Sequence, residues 1–323
     1  MNLSVSFFIP VQEDIRAVED LIRAQADGRH PDLSAALDLL LSAGGKRIRP
    51  ILTLLVGKML GGDYGKLITL SAAIELLHTA TLVHDDLIDG SLLRRGMPTL
   101  NSHWSPGATV LTGDYLFASA AKLASETNSL QVMSLFSRTL TVIVNGEITQ
   151  LFTSRCQINR EVYQKRIYAK TASLFETSAA TAAMISEVEP AKVEALREFG
   201  YEIGMAFQII DDILDFTSEQ ETLGKPVGSD LRQGLVTLPT IFYAERHPED
   251  RDVQDLITGN CISSEPQTNR LIESIQKSTA IKEAQHEAFQ YVERGLHSLR
   301  TLPANPERQS LEDLANYIVA REV

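Results

Sequence analysis

A helical spacing of apolar residues runs through almost the whole chain and limits its fold more than any other feature. Apolar side chains recur three and four positions apart along the 323 residues, whereas the alternation typical of strands is scarce. Glycine and proline separate the helical stretches, and no linker or fixed repeat divides them. We therefore predict one all-α domain over 1–323. The expected helices span 33–41, 51–60, 67–89, 113–125, 130–152, 161–185, 191–216, 238–244 and 269–302.

Two of these apolar helices end in aspartate clusters with the same spacing. Both follow the pattern DDxxD, with Asp85, Asp86 and Asp89 in the first cluster and Asp211, Asp212 and Asp215 in the second. Like charges repel at helical spacing, and the helix dipole disfavours carboxylates at a C-terminal end. Divalent cations such as Mg²⁺ relieve both conflicts, because they take oxygen ligands and bridge carboxylates to phosphates. We expect two metal-binding walls facing one cavity, since a solvated acidic helix end explains one cluster but hardly two.

Composition argues against several classes of function. The formal net charge is −12 and no long basic block occurs, so nucleic acid is not expected as a partner. The N-terminus lacks the basic region of a signal peptide, and the most apolar stretch, 67–83, contains Glu75 and His78, which favours a buried helix over a transmembrane segment. Cys156 and Cys261 lie far apart without CxxC spacing. We expect two free thiols in a reducing, cytoplasmic location, not a disulfide or a zinc site.

Basic residues stand where an anion would complete the coordination of such metals. The loop 44–50, GGKRIRP, leads into a helix with proline in its first turn, and its N–H groups and cations predict a phosphate site. Four more cations follow, namely Arg94 and Arg95 after the first cluster, Lys170 beside Thr171 in an apolar helix, and Lys225 in a Gly/Pro-rich loop after Asp215. A solvated surface explains each one equally well, but their joint placement beside the aspartates favours anion binding.

With these motifs in this order, the sequence resembles the trans-isoprenyl diphosphate synthases, the head-to-tail prenyltransferases. The likeness spans nearly the whole chain, through GGKRIRP (44–50), ELLHTATLVHDDLIDGSLLRRG (75–96), the Lys170-Thr171 pair and FQIIDDILDFTSEQETLGKPVGSDLRQG (207–234). It implies the isoprenoid-synthase fold, an antiparallel helix bundle around a deep central cavity, and a homodimer. It also implies three Mg²⁺ ions per active site, coordinated by Asp85, Asp89 and Asp211 and supported by Asp86, Asp212 and Asp215.

The resemblance also implies the substrates and their contacts. An allylic diphosphate would be bound through the metals with help from Arg94, Lys170 and Lys225. The positions matched to the isopentenyl diphosphate site are Lys46, Arg49, His78 and Arg95. Gln208 and Thr171 would line the region where positive charge develops. The implied reaction is ionisation, condensation and elimination, which needs no protein nucleophile.

Small residues just before the first cluster predict a long product. In the family, the growing chain runs beside the helix that carries the first motif, and Thr81 and Ala80 lie about 6–7.5 Å upstream of Asp85 along it. Aromatic residues there would close the cavity, whereas these let the chain pass towards Leu77. We expect a medium- to long-chain all-trans polyprenyl diphosphate for a quinone side chain, with the apolar product passing to a membrane. The segment 146–150 also resembles the GExxQ element of longer-chain relatives.

Two positions depart from the family pattern. Leu235 and Met97 each stand where many relatives carry lysine, although neither is one of the expected metal ligands.

Three alternative functions stay open. A synthase of geranylgeranyl or farnesyl length would share the motifs. A terpene cyclase shares the fold and first motif, but it usually has a mixed second motif and has no need for Lys46 and Arg49. A noncatalytic partner subunit of a heteromeric synthase typically loses aspartates that this chain keeps.

Overall fold

The computed structural model describes residues 6–42, 44–94, 96–152, 156–217, 226–262 and 264–321. After a 3₁₀-helix over Ser6–Val11, the first helices are α1 (Gln12–Ala24), α2 (Pro31–Ser42), α3 (Ile48–Met59), α4 (Tyr64–Ile88), α5 (Leu100–His103), α6 (Pro106–Glu126), α7 (Leu130–Phe152) and α8 (Arg160–Ile167). A π-helix over Tyr168–Ala172 leads into α9 (Ser173–Ile185) and α10 (Pro190–Thr217). The chain continues with α11 (Ser229–Arg232), α12 (Leu238–Arg246), α13 (Arg251–Ile257), α14 (Glu265–Lys277), α15 (Ala280–Leu299) and α16 (Pro306–Ala320).

The strands of the described residues form one short hairpin. Strands β1 (Leu93–Arg94) and β2 (Met97–Pro98) pair antiparallel, with Leu93 opposite Pro98 and Arg94 opposite Met97. The prediction of an all-α fold is therefore confirmed.

The chain groups into two compact units, each assembled from separate stretches. The first unit comprises Met1–Thr139, Leu174–Gly200 and Ser298–Leu314, and the second comprises Leu140–Ser173, Tyr201–His297 and Ala315–Val323. The first acidic motif and the loop 44–50 belong to the first unit, and the second acidic motif and Lys170 belong to the second. The single domain over 1–323 stays a prediction.

Helix α4 is the central helix of the first unit. The Asp63 side chain caps its start by accepting a hydrogen bond from the Lys66 amide at 2.8 Å. Its length and apolar composition would allow it to cross a membrane, but 72% of its most apolar window is buried in the protein, as predicted for a core helix. Helix α6 packs along it, and Gly113 allows the approach because a side chain there would collide with the His84 ring.

Apolar spacing located the long helices but missed their interruptions. The segment 161–185 was expected to be one helix, yet the π-helix interrupts it, because one wider turn hardly alters the apolar spacing. The segment 269–302 divides at Ser278, whose extended backbone ends α14. Helices α1 and α16 were not predicted, although Ile15, Val18 and Ile22 of α1 are buried at helical spacing.

The prediction of free thiols was wrong, because Cys156 and Cys261 form a disulfide. Their Cα atoms are 5.0 Å apart, within the range that a disulfide spans. Their separation of 105 positions in the sequence hid this proximity. The Cys156 amide also donates a hydrogen bond to the Gly234 carbonyl at 2.8 Å, which ties this link to the segment that follows α11.

Candidate active site

The first acidic motif lies at the C-terminal end of α4, where the sequence predicted it. Asp85 is half-buried and Asp89 is exposed, and the Asp89 amide donates to the Asp85 carbonyl at 2.8 Å in the last turn. Residues three and four apart share a helix face, so Asp89, Asp85, Thr81 and His78 lie along one side of α4. The first unit therefore presents two carboxylates and a histidine in a row.

Asp86 points elsewhere and is bound by Arg94. Its carboxylate is 6% exposed and accepts hydrogen bonds from Arg94 Nε at 3.0 Å and from Arg94 Nη2 at 2.8 Å. The hairpin returns the chain to this position, and the Ser91 amide donates to the Asp86 carbonyl at 2.8 Å. Arg94 therefore lies against the first motif. Arg95 lies outside the described residues.

The cations of the basic loop before α3 differ in burial and in their partners. Arg47, with a positive φ of 49°, is 8% exposed and donates to Glu19 and Glu75 at 3.0 Å each, so it fastens the loop to the core. Lys46 is exposed, and Arg49 lies half-buried with its guanidinium carbon 4.9 Å from the centre of the Phe175 ring. Helix α3 begins at Ile48 with Pro50 in its first turn, as predicted. Lys46 and Arg49 are thus the cations of this loop that a diphosphate could reach.

The second acidic motif occupies the C-terminal end of α10, and its three carboxylates have different partners. Asp211 is partly exposed, and its Oδ1 lies 2.7 Å from Arg321 Nη1. The Arg321 guanidinium also lies 4.7 Å from the centre of the Phe207 ring. Asp215 accepts hydrogen bonds from the Ser229 and Asp230 amides at 3.1 Å each and so holds the start of α11. Lys225 falls outside the described residues.

Asp212 is buried within a hydrogen-bond network that the sequence did not indicate. It is 3% exposed and accepts from Tyr163 Oη and Gln208 Nε2 at 2.8 Å each. Gln208 in turn accepts from the Thr171 hydroxyl at 2.5 Å. Burial, followed by the nearby charge of Asp230, raises the pKa of Asp212 to about 7, against the lowering effect of its hydrogen bonds. Gln208 was expected at this site, whereas Tyr163 was missed, because seven residues separate it from Lys170 and nothing in the sequence marks it.

The π-helix positions Lys170 and Thr171. Wider turns of this kind are rare and frequently occur at functional sites. Thr171 is 4% exposed and faces Gln208, whereas Lys170 is exposed. Gly146 of α7 lies against Ala169 so closely that a side chain at 146 would collide with it. The glycine of the GExxQ element therefore serves the packing of α7 against this turn.

The residues predicted to control product length differ in exposure. Thr81 is half-buried on the side of α4 that carries Asp85, and its hydroxyl donates to the His78 carbonyl at 2.7 Å. Ala80 and Leu77 are both 0% exposed. At about 100° per residue, Ala80 lies about 140° around the helix from Asp85, on the side of His84, which contacts α6. Thr81 is thus the better placed of the two to meet a chain that starts at Asp85.

A cavity of about 490 Å³ lies in the second unit and is lined by Leu235, one of the two departures from the family pattern. Its wall combines apolar residues such as Val236 and Ala169 with the cations Lys165 and Arg166. Met97, the other departure, is 39% exposed in the hairpin.

The carboxylates of both motifs suit a hard cation such as Mg²⁺, whose other ligands are waters and substrate phosphates. Among the described residues, no three His, Cys, Asp or Glu side chains gather closely enough to bind a metal ion by themselves. Mg²⁺ rarely requires that, because it keeps several waters and binds one or two carboxylates together with substrate phosphates. A cation already neutralises Asp211, in the form of the Arg321 guanidinium. Asp85 and Asp89 in the first unit, and Asp211 in the second, therefore each suit such an ion, while Asp86, Asp212 and Asp215 accept hydrogen bonds from protein donors.

The fold and these motifs together define an isoprenoid synthase. The structure aligns with the polyprenyl synthase from Caulobacter crescentus CB15, solved as a complex with calcium and isoprenyl diphosphate, with a TM-score of 0.90, 36% identity and 98% of each chain covered. The polyprenyl synthetase family model matches residues 30–277. The chain belongs to the polyprenyl synthetase family.

Two relatives with assigned products are similar over nearly the whole chain. One is the heptaprenyl diphosphate synthase component 2 of Bacillus subtilis (strain 168), 38% identical over 97% of this chain and 89% of the relative. The other is the chloroplastic solanesyl diphosphate synthase 1 of Arabidopsis thaliana, 37% identical over 98% of this chain and 79% of the relative.

Proposed function

We propose that this protein is a trans-polyprenyl diphosphate synthase, which condenses isopentenyl diphosphate head-to-tail with an allylic diphosphate. The observation that carries the proposal is the intact pair of DDxxD motifs at the ends of α4 and α10, the second joined to Thr171 through Gln208. The names of the relatives, heptaprenyl and solanesyl diphosphate synthase, favour a medium- to long-chain product. The small Thr81 beside Asp85 supports the same length.

We assign the ligands of Mg²⁺ to Asp85, Asp89 and Asp211, with three ions per active site as the expected number. When bound, Mg²⁺ would neutralise the leaving pyrophosphate and so favour cleavage of the allylic C–O bond. The exposed Lys46 and Lys170 provide cations for the two diphosphates. Arg94, which binds Asp86 through Nε and Nη2, can present its Nη1 group to the allylic diphosphate.

The residues near Thr171 would act on the other fragment, the developing allylic cation. The Thr171 hydroxyl donates its proton to Gln208, so its lone pairs remain to face positive charge. A carbon–carbon bond then forms as the isopentenyl double bond attacks, and loss of a proton restores a double bond. Pyrophosphate is the expected proton acceptor. Exclusion of water from the site would protect the cation, which water would otherwise capture.

Product analysis tests this proposal. The purified chain is incubated with MgCl₂, labelled isopentenyl diphosphate and either farnesyl or geranylgeranyl diphosphate, and the dephosphorylated products are sized by chromatography. We expect linear all-trans alcohols longer than C20. Asp85→Asn and Asp211→Asn should each lower turnover at least 100-fold after rates are divided by the folded fraction, whereas Asp38→Asn, on the exposed side of α2, serves as the matched control. Cyclised hydrocarbon, or products no longer than C20, would refute the assignment.

A two-subunit synthase is the second candidate, and one specific finding favours it. The similar Bacillus subtilis protein is named component 2, which indicates a further component for that protein. All six aspartates are present here, so we assign the catalytic part to this chain in either case. Turnover by the purified chain alone would show that no further subunit is required.

We further propose that the chain forms a homodimer. Helix α7 exposes a row of apolar residues in the second unit, with Val144 at 43%, Ile148 at 48% and Phe152 at 86% exposure. Their spacing of four places them along one side of the helix, where a second copy would cover them. Light scattering after gel filtration measures the mass, for which twice 35.6 kDa is expected.

A further inference from the structure

A chain of three hydrogen bonds connects Tyr163 to Thr171 in the second unit. The Tyr163 phenol donates to Asp212 Oδ2 at 2.8 Å, and Gln208 Nε2 donates to Asp212 Oδ1 at 2.8 Å. The Thr171 hydroxyl donates to Gln208 Oε1 at 2.5 Å. Tyr163, Asp212 and Thr171 are 2%, 3% and 4% exposed, so water has little access to compete for these bonds.

The chemistry of the four side chains determines which group donates in each of these hydrogen bonds. The Gln208 amide nitrogen can only donate, so it gives a hydrogen bond to Asp212 Oδ1, and the Tyr163 phenol donates to Oδ2. The Gln208 amide is thereby oriented with its nitrogen towards Asp212 and its oxygen towards Thr171. Thr171 has a single hydroxyl proton and must give it to that oxygen. Its remaining lone pairs can then face only a group that is electron-poor.

We propose that Tyr163 is a positioning residue for prenyl transfer, which holds Asp212 and Gln208 so that Thr171 directs its oxygen lone pairs at the developing allylic cation. The inference rests on the proposed function and adds to it a residue that acts from outside the reacting groups. We call this series of hydrogen bonds, from Tyr163 through Asp212 and Gln208 to Thr171, the relay. Tyr163 lies on α8, before the π-helix that carries Thr171, so one short stretch of sequence supplies both ends of it.

Loss of the Tyr163 hydroxyl removes one of the two side-chain donors that hold the buried carboxylate. Asp212 can then rotate towards other donors, and the Gln208 amide is no longer held in one orientation. The Thr171 hydroxyl loses its fixed acceptor and can present its proton to the site. Because the cation exists only near the transition state, the change should lower kcat and leave substrate binding unaltered.

The test compares Tyr163→Phe with a matched variant elsewhere in the same unit. Tyr243 is also buried, at 6% exposure, and its hydroxyl donates to Asp250 Oδ2 at 2.6 Å, but it has no part in the relay. Tyr243→Phe therefore deletes the same kind of hydrogen bond. We expect Tyr163→Phe to lower kcat about tenfold, with KM for both diphosphates within twofold of wild type, and Tyr243→Phe to keep the wild-type kcat.

A double-mutant cycle with Thr171→Val shows whether Tyr163 acts through Thr171. If it does, the double variant should have the kcat of Thr171→Val alone, because the relay has already lost its end. Rates are divided by the folded fraction from circular dichroism, so a stability loss cannot imitate a loss of kcat. If the two substitutions lower kcat independently, so that their effects multiply, the proposed relay is refuted. The same holds if Tyr163→Phe behaves like Tyr243→Phe, and in both cases the proposed function is unaffected. An inactive wild-type chain would overturn the proposed function and the relay with it.

Discussion

Reduction of the Cys156–Cys261 disulfide should measurably destabilise the protein. The bond joins two cysteines of the second unit that lie 105 positions apart in the sequence, and so closes a loop of about that length. The loss of loop-closure entropy in the unfolded chain corresponds to about 5 kcal/mol at 25 °C, and disulfides typically deliver about 2–4 kcal/mol of stabilisation. With an unfolding entropy of about 2.1 cal/mol/K per residue, 323 residues give about 0.7 kcal/mol/K. A destabilisation of 2–5 kcal/mol then lowers the melting temperature by about 3–7 °C.

Thiol titration and thermal unfolding are the two measurements that check this. In denaturant without reductant the chain should show no reactive thiol, and after treatment with tris(2-carboxyethyl)phosphine it should show two. The melting temperature is then followed by circular dichroism in both states. The double variant Cys156→Ser/Cys261→Ser is the control, which should melt like the reduced protein and ignore the reductant. Two reactive thiols in the untreated protein, or equal melting temperatures in both states, would refute the reasoning.

Three further predictions concern product length, metal affinity and assembly. Thr81→Phe should shorten the main product by at least one isoprene unit, because a ring on the Asp85 side of α4 obstructs the growing chain, and an unchanged product distribution would contradict that path. Arg321→Ala should tighten Mg²⁺ binding, measured by calorimetry without substrate, by about fivefold, since an ion pair of this exposure contributes about 1 kcal/mol. Its control is Arg294→Ala, which removes a similar pair with Glu202 beside the Tyr291 ring, and equal affinities for both variants would argue against competition at Asp211. Ile148→Lys should convert the expected dimer to a monomer in light scattering, whereas Glu126→Lys on α6 should not, and a dimeric Ile148→Lys would exclude this face of α7.

The sequence alone determined the helical class, the long helices and the acidic motifs at two helix ends. These features are local, since apolar spacing fixes a helix and DDxxD places its carboxylates within one turn or so of each other. Family resemblance could then be recognised from short motifs in order, and the family is confirmed. The small Thr81 upstream of Asp85 was equally visible, because four residues always bring two side chains to one helix face.

Tertiary structure decided which partner each of these side chains has. Asp86 is held by Arg94, Asp212 by Tyr163 and Gln208, and Asp211 lies beside Arg321, which is 110 residues away in the chain. The disulfide and the π-helix likewise depend on packing between distant segments, to which apolar spacing is insensitive. The sequence therefore specified six similar carboxylates, and only the fold gave them different partners, because burial and long-range hydrogen bonds have no local signature.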